Sequence, residues 1–360
     1  MGVRPMKTPI YAAITLGLSA VAANAGGLDR SGQWVNDIFQ TGNVAKFSYS
    51  STTPELSGTG TGNTGNVGQS FSVASGSYKT DLNDSVSVAV IWDQPFGSSI
   101  YYDPTQTNAA TRGIKAQVSS NAVTGVLRYK LDNGISFHGG LRAQQLEGSV
   151  ALPFAGNYTL DLAGDTGFGY LAGVAYERPD IALRVSLTYN SEIDHSFASV
   201  DSTAGNVTTS TSTPESWNLE FQSGVAANTL VFGSIRYTPW GDFKLPAAGL
   251  GGLNIASLSN STDYTLGVGR KLNDTWSISA VFGQSGGGTA ATASALSPTG
   301  GNKSLALAAV YTNDAYKVTT GVRYTKLGDT TATVGAAQTP VASFSDNSAV
   351  SVGVSVAYKF

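Results

Sequence analysis

Residues 347–360, which read NSAVSVGVSVAYKF, decide the fold class of this chain. The side chains alternate with a period of two, which is the periodicity of a β-strand. Val350, Val352, Val354, Val356, Tyr358 and Phe360 form a large apolar face, and Ala349, Ser351, Gly353, Ser355, Ala357 and Lys359 form a small or polar one. A strand with one lipid-compatible face and a terminal aromatic residue is typical of a transmembrane β-barrel.

The first 25 residues have the pattern of a secretory signal peptide. Arg4 and Lys7 precede an apolar run from residue 10 to residue 22, and the small residues Ala23 and Ala25 follow it. The run is shorter than the roughly 20 residues that a transmembrane helix needs. We therefore expect an exported chain and exclude residues 1–25 from the fold.

The composition limits the chemistry that the chain can support. It contains 43 glycines and no cysteine, so disulfides, thiolate metal sites and cysteine nucleophiles are excluded. Without Arg4 and Lys7, the formal net charge moves from -3 to -5, which gives no support for nucleic-acid binding. We expect no cofactor, no metal and no enzyme activity.

Gly60-Thr61-Gly62-Asn63-Thr64-Gly65 has the glycine spacing of a dinucleotide-binding loop, but no helix pattern follows it. We therefore treat this spacing as a chance match.

Fourteen alternating segments follow residue 43. They are 44–52, 68–81, 84–93, 112–131, 135–148, 166–177, 181–192, 216–225, 229–238, 263–272, 275–284, 303–312, 315–326 and 347–360. Short turns such as Asp132-Asn133-Gly134 alternate with long loops such as 149–165 and 193–215, as periplasmic turns and extracellular loops do in bacterial barrels. The sequence predicts an all-β, 14-stranded antiparallel barrel over residues 44–360 in the outer membrane of a Gram-negative bacterium. A soluble sandwich or propeller is the alternative.

If the apolar faces meet lipid, a set of charged side chains lines the lumen. The cations are Arg128, Arg142, Arg184, Arg236, Lys317 and Arg323, and the carboxylates are Glu147, Glu177 and Glu220. Charges of both signs can simply form ion pairs that fill a barrel. The functional alternative is that one or two cations bind an anionic headgroup through charge-assisted hydrogen bonds.

Residues 26–43 precede the first strand and do not alternate. Leu28, Trp34, Val35, Ile38 and Phe39 have helix-like spacing. Five apolar residues in so short a segment favour burial, so we expect a plug, or hatch, folded into the lumen. A flexible periplasmic tail is the alternative.

The order of several motifs resembles the FadL/TodX family of outer-membrane transporters for long-chain fatty acids and other hydrophobic compounds. The similar stretches are GGLDRS (26–31), WDQPFG (92–97), YERP (176–179), IAL (181–183), PESW (214–217) and YTPW (237–240). The resemblance implies a hatch, an extracellular apolar groove, and lateral release at an inward kink of the third strand. The chain lacks the family's Asn-Pro-Ala tripeptide near the end of the hatch.

Two features of the sequence agree with a kink in the third strand and an extracellular apolar groove. Pro95 and Gly97 should interrupt pairing in the third strand, although a plain strand end fits equally well. Two long loops are apolar enough to form a landing surface for an acyl chain, or a lid packed on itself. The groove candidates are Phe96, Ile100, Tyr101, Leu250, Leu253, Ile255 and Leu258.

The sequence predicts passive uptake of a long-chain fatty acid or another hydrophobic small molecule. A diffusion porin for polar solutes and an adhesive surface barrel are the alternatives. We expect a monomer in contact with outer-membrane lipid, including lipopolysaccharide. The outward Val356 and Tyr358 and the terminal Phe360 resemble the signal that the outer-membrane assembly machinery reads.

Overall fold

The computed structural model describes residues 28–286 and 292–360, so the predicted signal peptide lies outside the described residues.

Fourteen antiparallel strands form a closed barrel. They are β1 (Val44–Glu55), β2 (Phe71–Asp81), β3 (Val86–Asp93, continued by Gly97–Tyr101), β4 (Lys115–Lys130), β5 (Ile135–Leu152), β6 (Tyr158–Arg178), β7 (Leu183–Asn190 and Ile193–Asp201), β8 (Gly205–Thr213 and Ser216–Ala226), β9 (Thr229–Thr238), β10 (Ser261–Lys271), β11 (Trp276–Ser285), β12 (Asn302–Thr312), β13 (Tyr316–Leu327) and β14 (Ser348–Lys359). Each strand pairs with its neighbours in chain order.

The first and last strands close the barrel. β1 pairs with β14 from Val44 opposite Lys359 to Glu55 opposite Ser348. Inside the barrel, the hydroxyls of Ser48 and Ser355 lie 2.8 Å apart and form a hydrogen bond. Closure removes both sheet edges, whose unpaired backbone groups could not be satisfied in hydrocarbon.

The two faces of each strand differ in exposure, as the alternation of apolar and polar residues predicts. On β14, Val352 is 54% exposed and Ser351 only 1%. Aromatic side chains lie near each end of the barrel, where membrane barrels carry their interfacial belts. Tyr129, Tyr176, Trp276 and Tyr358 are exposed near the short-turn end, whereas the exposed Tyr237 and the half-buried Tyr189 lie towards the long-loop end.

The long-loop end contains more regular structure than the sequence predicts. Residues 149–165 and 193–215, predicted as loops, largely continue strands β5 to β8 beyond the predicted segments. A separate five-stranded sheet is built from Ser57–Gly60, Asn63–Asn66, Thr292–Ser294, Thr330–Val334 and Thr339–Phe344. A small hairpin joins Pro246–Ala247 to Leu253–Asn254, and single 3-10 turns occur at Asn36–Phe39, Pro153–Ala155, Pro179–Ile181, Trp240–Asp242 and Ala248–Leu250. Within the described ranges, no helix is long and apolar enough to cross a membrane.

The N-terminal segment, residues 28–43, lies inside the barrel. Val35, Ile38 and Phe39 are buried against inward side chains of β3, β4 and β6, among them Ile91 and Leu171. Leu28 is also buried, and Trp34 is half-buried. The helix-like spacing of these residues produces only the 3-10 turn Asn36–Phe39, because the rest of the segment bonds to the barrel wall.

A charge placed on the lipid face tests the orientation of the barrel. Leu307 is 54% exposed in the middle of β12. We expect Leu307→Arg to lower the free energy of unfolding from a lipid bilayer by roughly 2–4 kcal/mol, because the guanidinium is placed in hydrocarbon. Leu272→Arg, at the short-turn end of β10, is the control and should cost about 0–1 kcal/mol. Urea titration in lipid vesicles measures both values, and equal costs would contradict the orientation.

Candidate functional site

The pairing between β2 and β3 is interrupted partway along the barrel wall. The ladder ends where Gly76 faces Trp92. It resumes where the backbone N–H of Gln69 donates to Ser99 O at 2.9 Å. Between these points, the Gln94 side chain accepts the N–H of Ala74 at 2.9 Å in place of a backbone carbonyl. We call this unpaired interval between β2 and β3, which comprises residues 70–75 and 93–98, the wall break.

An extra residue in β3 causes the wall break. Asp93 lies opposite Ala122 and Gly97 lies opposite Ser119, so three residues of β3 face two of β4. Such a bulge bends the strand, and Pro95 has no N–H to donate to a ladder. The Ser120 hydroxyl compensates on the β4 side, because it accepts the N–H of Phe96 at 2.8 Å and donates to Phe96 O at 2.7 Å.

The N-terminal segment pairs with the bent part of β3. Asp29 forms an antiparallel bridge with Phe96. Arg30 N donates to Pro95 O at 2.7 Å, and Gly97 N donates to Leu28 O at 2.7 Å. The backbone groups that β3 does not share with β2 are therefore satisfied from inside the barrel.

A buried ion pair holds the upper part of the N-terminal segment. Arg236 of β9 donates from Nη2 and Nε to Asp29 Oδ1, at 2.7 and 3.1 Å. Trp240 Nε1 donates to the other oxygen at 2.6 Å. Arg236 also donates to the Gln33 side chain at 3.0 Å and to Asn218 Oδ1 at 2.9 Å. Removing one partner of such a buried pair leaves an uncompensated charge.

A second polar contact holds the lower part of the segment. Asp37 accepts hydrogen bonds from Lys46 Nζ at 2.9 Å, Ser77 Oγ at 2.7 Å and Gln40 Nε2 at 2.8 Å. Burial alone raises the pKa of Asp37, but the charge of Lys46 and these hydrogen bonds outweigh burial and hold it below its usual value. Asp37 is therefore ionised at neutral pH.

An apolar cluster connects the long-loop end of the barrel to the wall break. Its buried members are Leu28, Phe96, Val150, Leu152, Tyr158, Leu160, Trp240, Phe243, Leu245 and Ala247. Leu250, Ile255 and Leu258 pack against it from the loop between β9 and β10. The ring of Trp240 meets that of Phe96 edge to face, with centroids 5.2 Å apart. Loop residues and wall-break residues therefore share one apolar surface.

The predicted groove residues do not all join this cluster. Ile100 packs in a separate cluster with Leu56, Tyr102 and Phe344. Leu253 is 39% exposed, and Tyr101 is half-buried outside both clusters. Phe96, Leu250, Ile255 and Leu258 therefore share one cluster, whereas Ile100, Tyr101 and Leu253 lie outside it, and the groove of seven residues stays a prediction. Ile100 lies beyond the wall break, where β3 has rejoined the wall and points its side chain under the extracellular sheet.

The predicted lumen cations lie inside the barrel, in different surroundings. Arg128 is ion-paired with Glu177, and Arg236 holds Asp29. Arg142 donates to Thr124 Oγ1 at 2.9 Å and to Asn190 Oδ1 at 3.2 Å. Arg184 and Arg128 lie 4.7 and 4.8 Å from the ring of Phe39. Arg323 is buried, and Lys317 lines a cavity of about 100 Å³ with Arg184 and Lys46.

Among the predicted carboxylates, Glu147 is exposed on the outer face and accepts a hydrogen bond from Ser119 at 2.7 Å. The prediction that Glu147 faces the lumen is wrong. Side chains an even number of residues apart on a strand share a face, so Glu147 lies on the outward face with Leu141 and opposite the inward Arg142. Glu177 and Glu220 do face inward.

Sequence reasoning also missed two residues of the N-terminal segment. Asp29 and Arg30 were noted only as part of a motif, yet Asp29 binds Arg236 and Arg30 lies at the wall break. Their partners lie far along the chain, so no local periodicity identifies them. The adjacent opposite charges of Asp29 and Arg30, in a segment expected to be buried, are the signal that could have identified them.

A closed fourteen-stranded barrel with aromatic belts and a polar interior, against which part of the N-terminal segment packs, is the architecture of an outer-membrane β-barrel protein. Residues 35–360 match the family model described as "Outer membrane protein transport protein (OMPP1/FadL/TodX)". The chain belongs to this family of outer-membrane transport proteins.

Solved structures share the fold at low identity. A Pseudomonas aeruginosa FadL homologue is 13% identical, with a TM-score of 0.74 over 90% of this chain and 91% of that one. The Pseudomonas putida toluene transporter TodX is 12% identical, with a TM-score of 0.66 over 96% and 98%. The Ralstonia pickettii toluene transporter TbuX is 10% identical, with a TM-score of 0.64 over 89% and 90%. No curated protein sequence matches the chain.

Removing the buried guanidinium should release the N-terminal segment. In Arg236→Ala, the Asp29 carboxylate stays buried without its cation, which costs about 3–5 kcal/mol. We expect trypsin to cleave after Arg30 in the variant and not in the wild type, as followed by mass spectrometry of the folded barrel. The control is Arg270→Ala, which removes an exposed side chain that donates to Ala227 O and Thr229 Oγ1. Equal trypsin resistance in all three proteins would contradict the conclusion that the Arg236–Asp29 ion pair holds the N-terminal segment.

Proposed function

We propose that the protein mediates passive uptake of long-chain fatty acids or related hydrophobic molecules across the outer membrane. The observation that carries this proposal is the apolar cluster, which runs from Leu258 and Leu245 in an extracellular loop to Phe96 at the wall break. Each methylene buried there contributes about 0.8 kcal/mol to binding. A polar solute gains nothing from such a surface.

We infer that the N-terminal segment is a plug that blocks the axial path. Its middle, Val35 to Phe39, is buried against the barrel wall, and ion pairs to Arg236 and Lys46 hold it on both sides. An apolar molecule below the plug would also meet periplasmic water, where it loses the energy gained in the cluster. Axial passage is therefore unfavourable for this class of substrate.

The wall break offers a lateral path. Phe96 belongs to the apolar cluster and lies within the break, so a molecule in the cluster is next to the interval that β2 and β3 leave unpaired. Beyond that interval is the hydrocarbon of the membrane, in which an acyl chain stays favourable. We propose that Pro95 and Gly97 maintain this exit.

The assignment of headgroup binding to lumen cations stays a prediction. Arg128 and Arg236 are engaged with carboxylates of the protein itself. Arg142, Arg184, Lys317 and Arg323 remain candidates, and Arg184 and Lys317 share the cavity on the periplasmic side of the plug.

We also propose that the C-terminal aromatic residues serve assembly. Phe360 is 57% exposed and stacks on Tyr78 and Tyr358, with centroids 5.9 and 5.6 Å apart. Val356 lies on the same outward face. These side chains lie on the lipid-facing surface near the periplasmic end, where the assembly machinery could bind them before lipid does. We propose a monomer surrounded by outer-membrane lipid, in agreement with the apolar outward faces of the strands.

Two substitutions in the loop test capture by the apolar cluster. The double variant Ile255→Ser/Leu258→Ser should weaken binding of a fluorescent long-chain fatty acid roughly tenfold or more, because two apolar contacts are lost. Leu253→Ser is the matched control, since Leu253 lies in the same loop outside the cluster. Fluorescence titration of the purified proteins measures the affinities. The same affinity in the double variant and the control would contradict capture at the cluster.

Planar-bilayer recordings separate this function from a diffusion porin. The plugged channel should show no steady ion conductance, whereas a porin conducts continuously. An adhesive barrel would instead lose cell attachment when its loops are exchanged and would bind no fatty acid.

A further inference from the structure

Arg30 places a guanidinium at the wall break. Its side chain is only 6% exposed. The Cζ atom lies 3.3 Å from the centroid of the Phe71 ring on β2. A Cβ atom added to Gly97 of β3 would lie 3.0 Å from Arg30 Nε. Arg30 therefore occupies the space between the two strands that the backbone ladder leaves unpaired.

This cation has no carboxylate partner among residues 28–286 and 292–360. Its neighbour Asp29 is bound by Arg236 and Trp240, and Asp93 accepts the Ser31 hydroxyl at 2.5 Å. Burial lowers the pKa of Arg30 to about 9, so the group is charged at neutral pH. A buried charge without a counter-ion is costly.

The geometry leaves Arg30 able to bind an anion. A guanidinium that lies on an aromatic ring uses its face for the ring, and its N–H groups point outward in its plane. A carboxylate matches two of these donors. Leu28, two residues before Arg30, and Phe96, which pairs with Asp29, belong to the apolar cluster. A chain held in the cluster would have its polar end beside Arg30.

We propose that Arg30 binds the carboxylate of a long-chain fatty acid at the wall break. This inference rests on the proposed function and narrows its substrate class to hydrophobic molecules with an anionic head. The carboxylate supplies the missing counter-ion, and the acyl chain lies in the apolar cluster. A neutral hydrocarbon could occupy the cluster but would leave the guanidinium unpaired.

Chain-matched probes test the assignment in the full-length protein. Hexadecanoate and hexadecan-1-ol have the same acyl length and differ in charge. The wild type should bind the acid at least about tenfold more tightly than the alcohol at neutral pH, as expected for a charge-assisted hydrogen bond. Arg30→Met should abolish this preference by weakening the acid alone, whereas the control Arg270→Met should retain it. Tryptophan fluorescence titration measures all affinities.

The outcomes separate this inference from the proposed function. If the wild type binds acid and alcohol alike, or if Arg30→Met keeps the preference, the Arg30 site is overturned and uptake of hydrophobic molecules stands. If the wild type binds neither probe, both proposals fail.

A measurement on the wild type alone covers the case in which Arg30→Met does not fold. The carboxyl pKa of bound hexadecanoate, followed by ¹³C NMR of the labelled carboxyl carbon, should lie below that of the same acid in detergent micelles, because the guanidinium stabilises the ionised form. An equal or higher value overturns the site.

Discussion

The bent part of β3 cannot pair with β2, and the rest of the molecule depends on how its backbone groups are satisfied. In hydrocarbon, each unpaired N–H or C=O costs several kcal/mol, so a membrane barrel cannot leave them exposed. Here they bond inward to Leu28 and Arg30, and to the Ser120 hydroxyl of β4. The N-terminal segment is therefore held at the place where the wall is weakest.

This arrangement couples the plug to the wall. The carboxylate of Asp29 binds Arg236 on β9, while the backbone of the same residue pairs with Phe96 on β3. Phe96 also belongs to the apolar cluster, so in the proposed route a ligand that moves from the cluster to the wall break passes close to Asp29.

The barrel was predictable from sequence because lipid imposes one apolar face on every strand. The alternation of β14 and the rhythm of short turns and long loops were enough to count fourteen strands. The extensions of β5 to β8 were missed because they have no lipid face, so Ser- and Thr-rich stretches such as 205–213 look like loops. Asp29 and Arg30 were missed as site residues because their partners, Arg236 and Phe71, are brought to them only by closure of the barrel.

We propose that the bulge in β3 keeps a lateral exit open. Deleting Pro95 leaves two residues of β3 facing two of β4, which removes the bulge and straightens β3 against β4. The most direct measurement compares transfer of a fluorescent fatty acid into vesicle membranes by the wild type, the Pro95 deletion and a control deletion of the exposed loop residue Thr105. We expect the Pro95 deletion still to bind fatty acid through the apolar cluster but to transfer it far more slowly. Transfer at the wild-type rate through the straightened strand would contradict a lateral exit at the wall break.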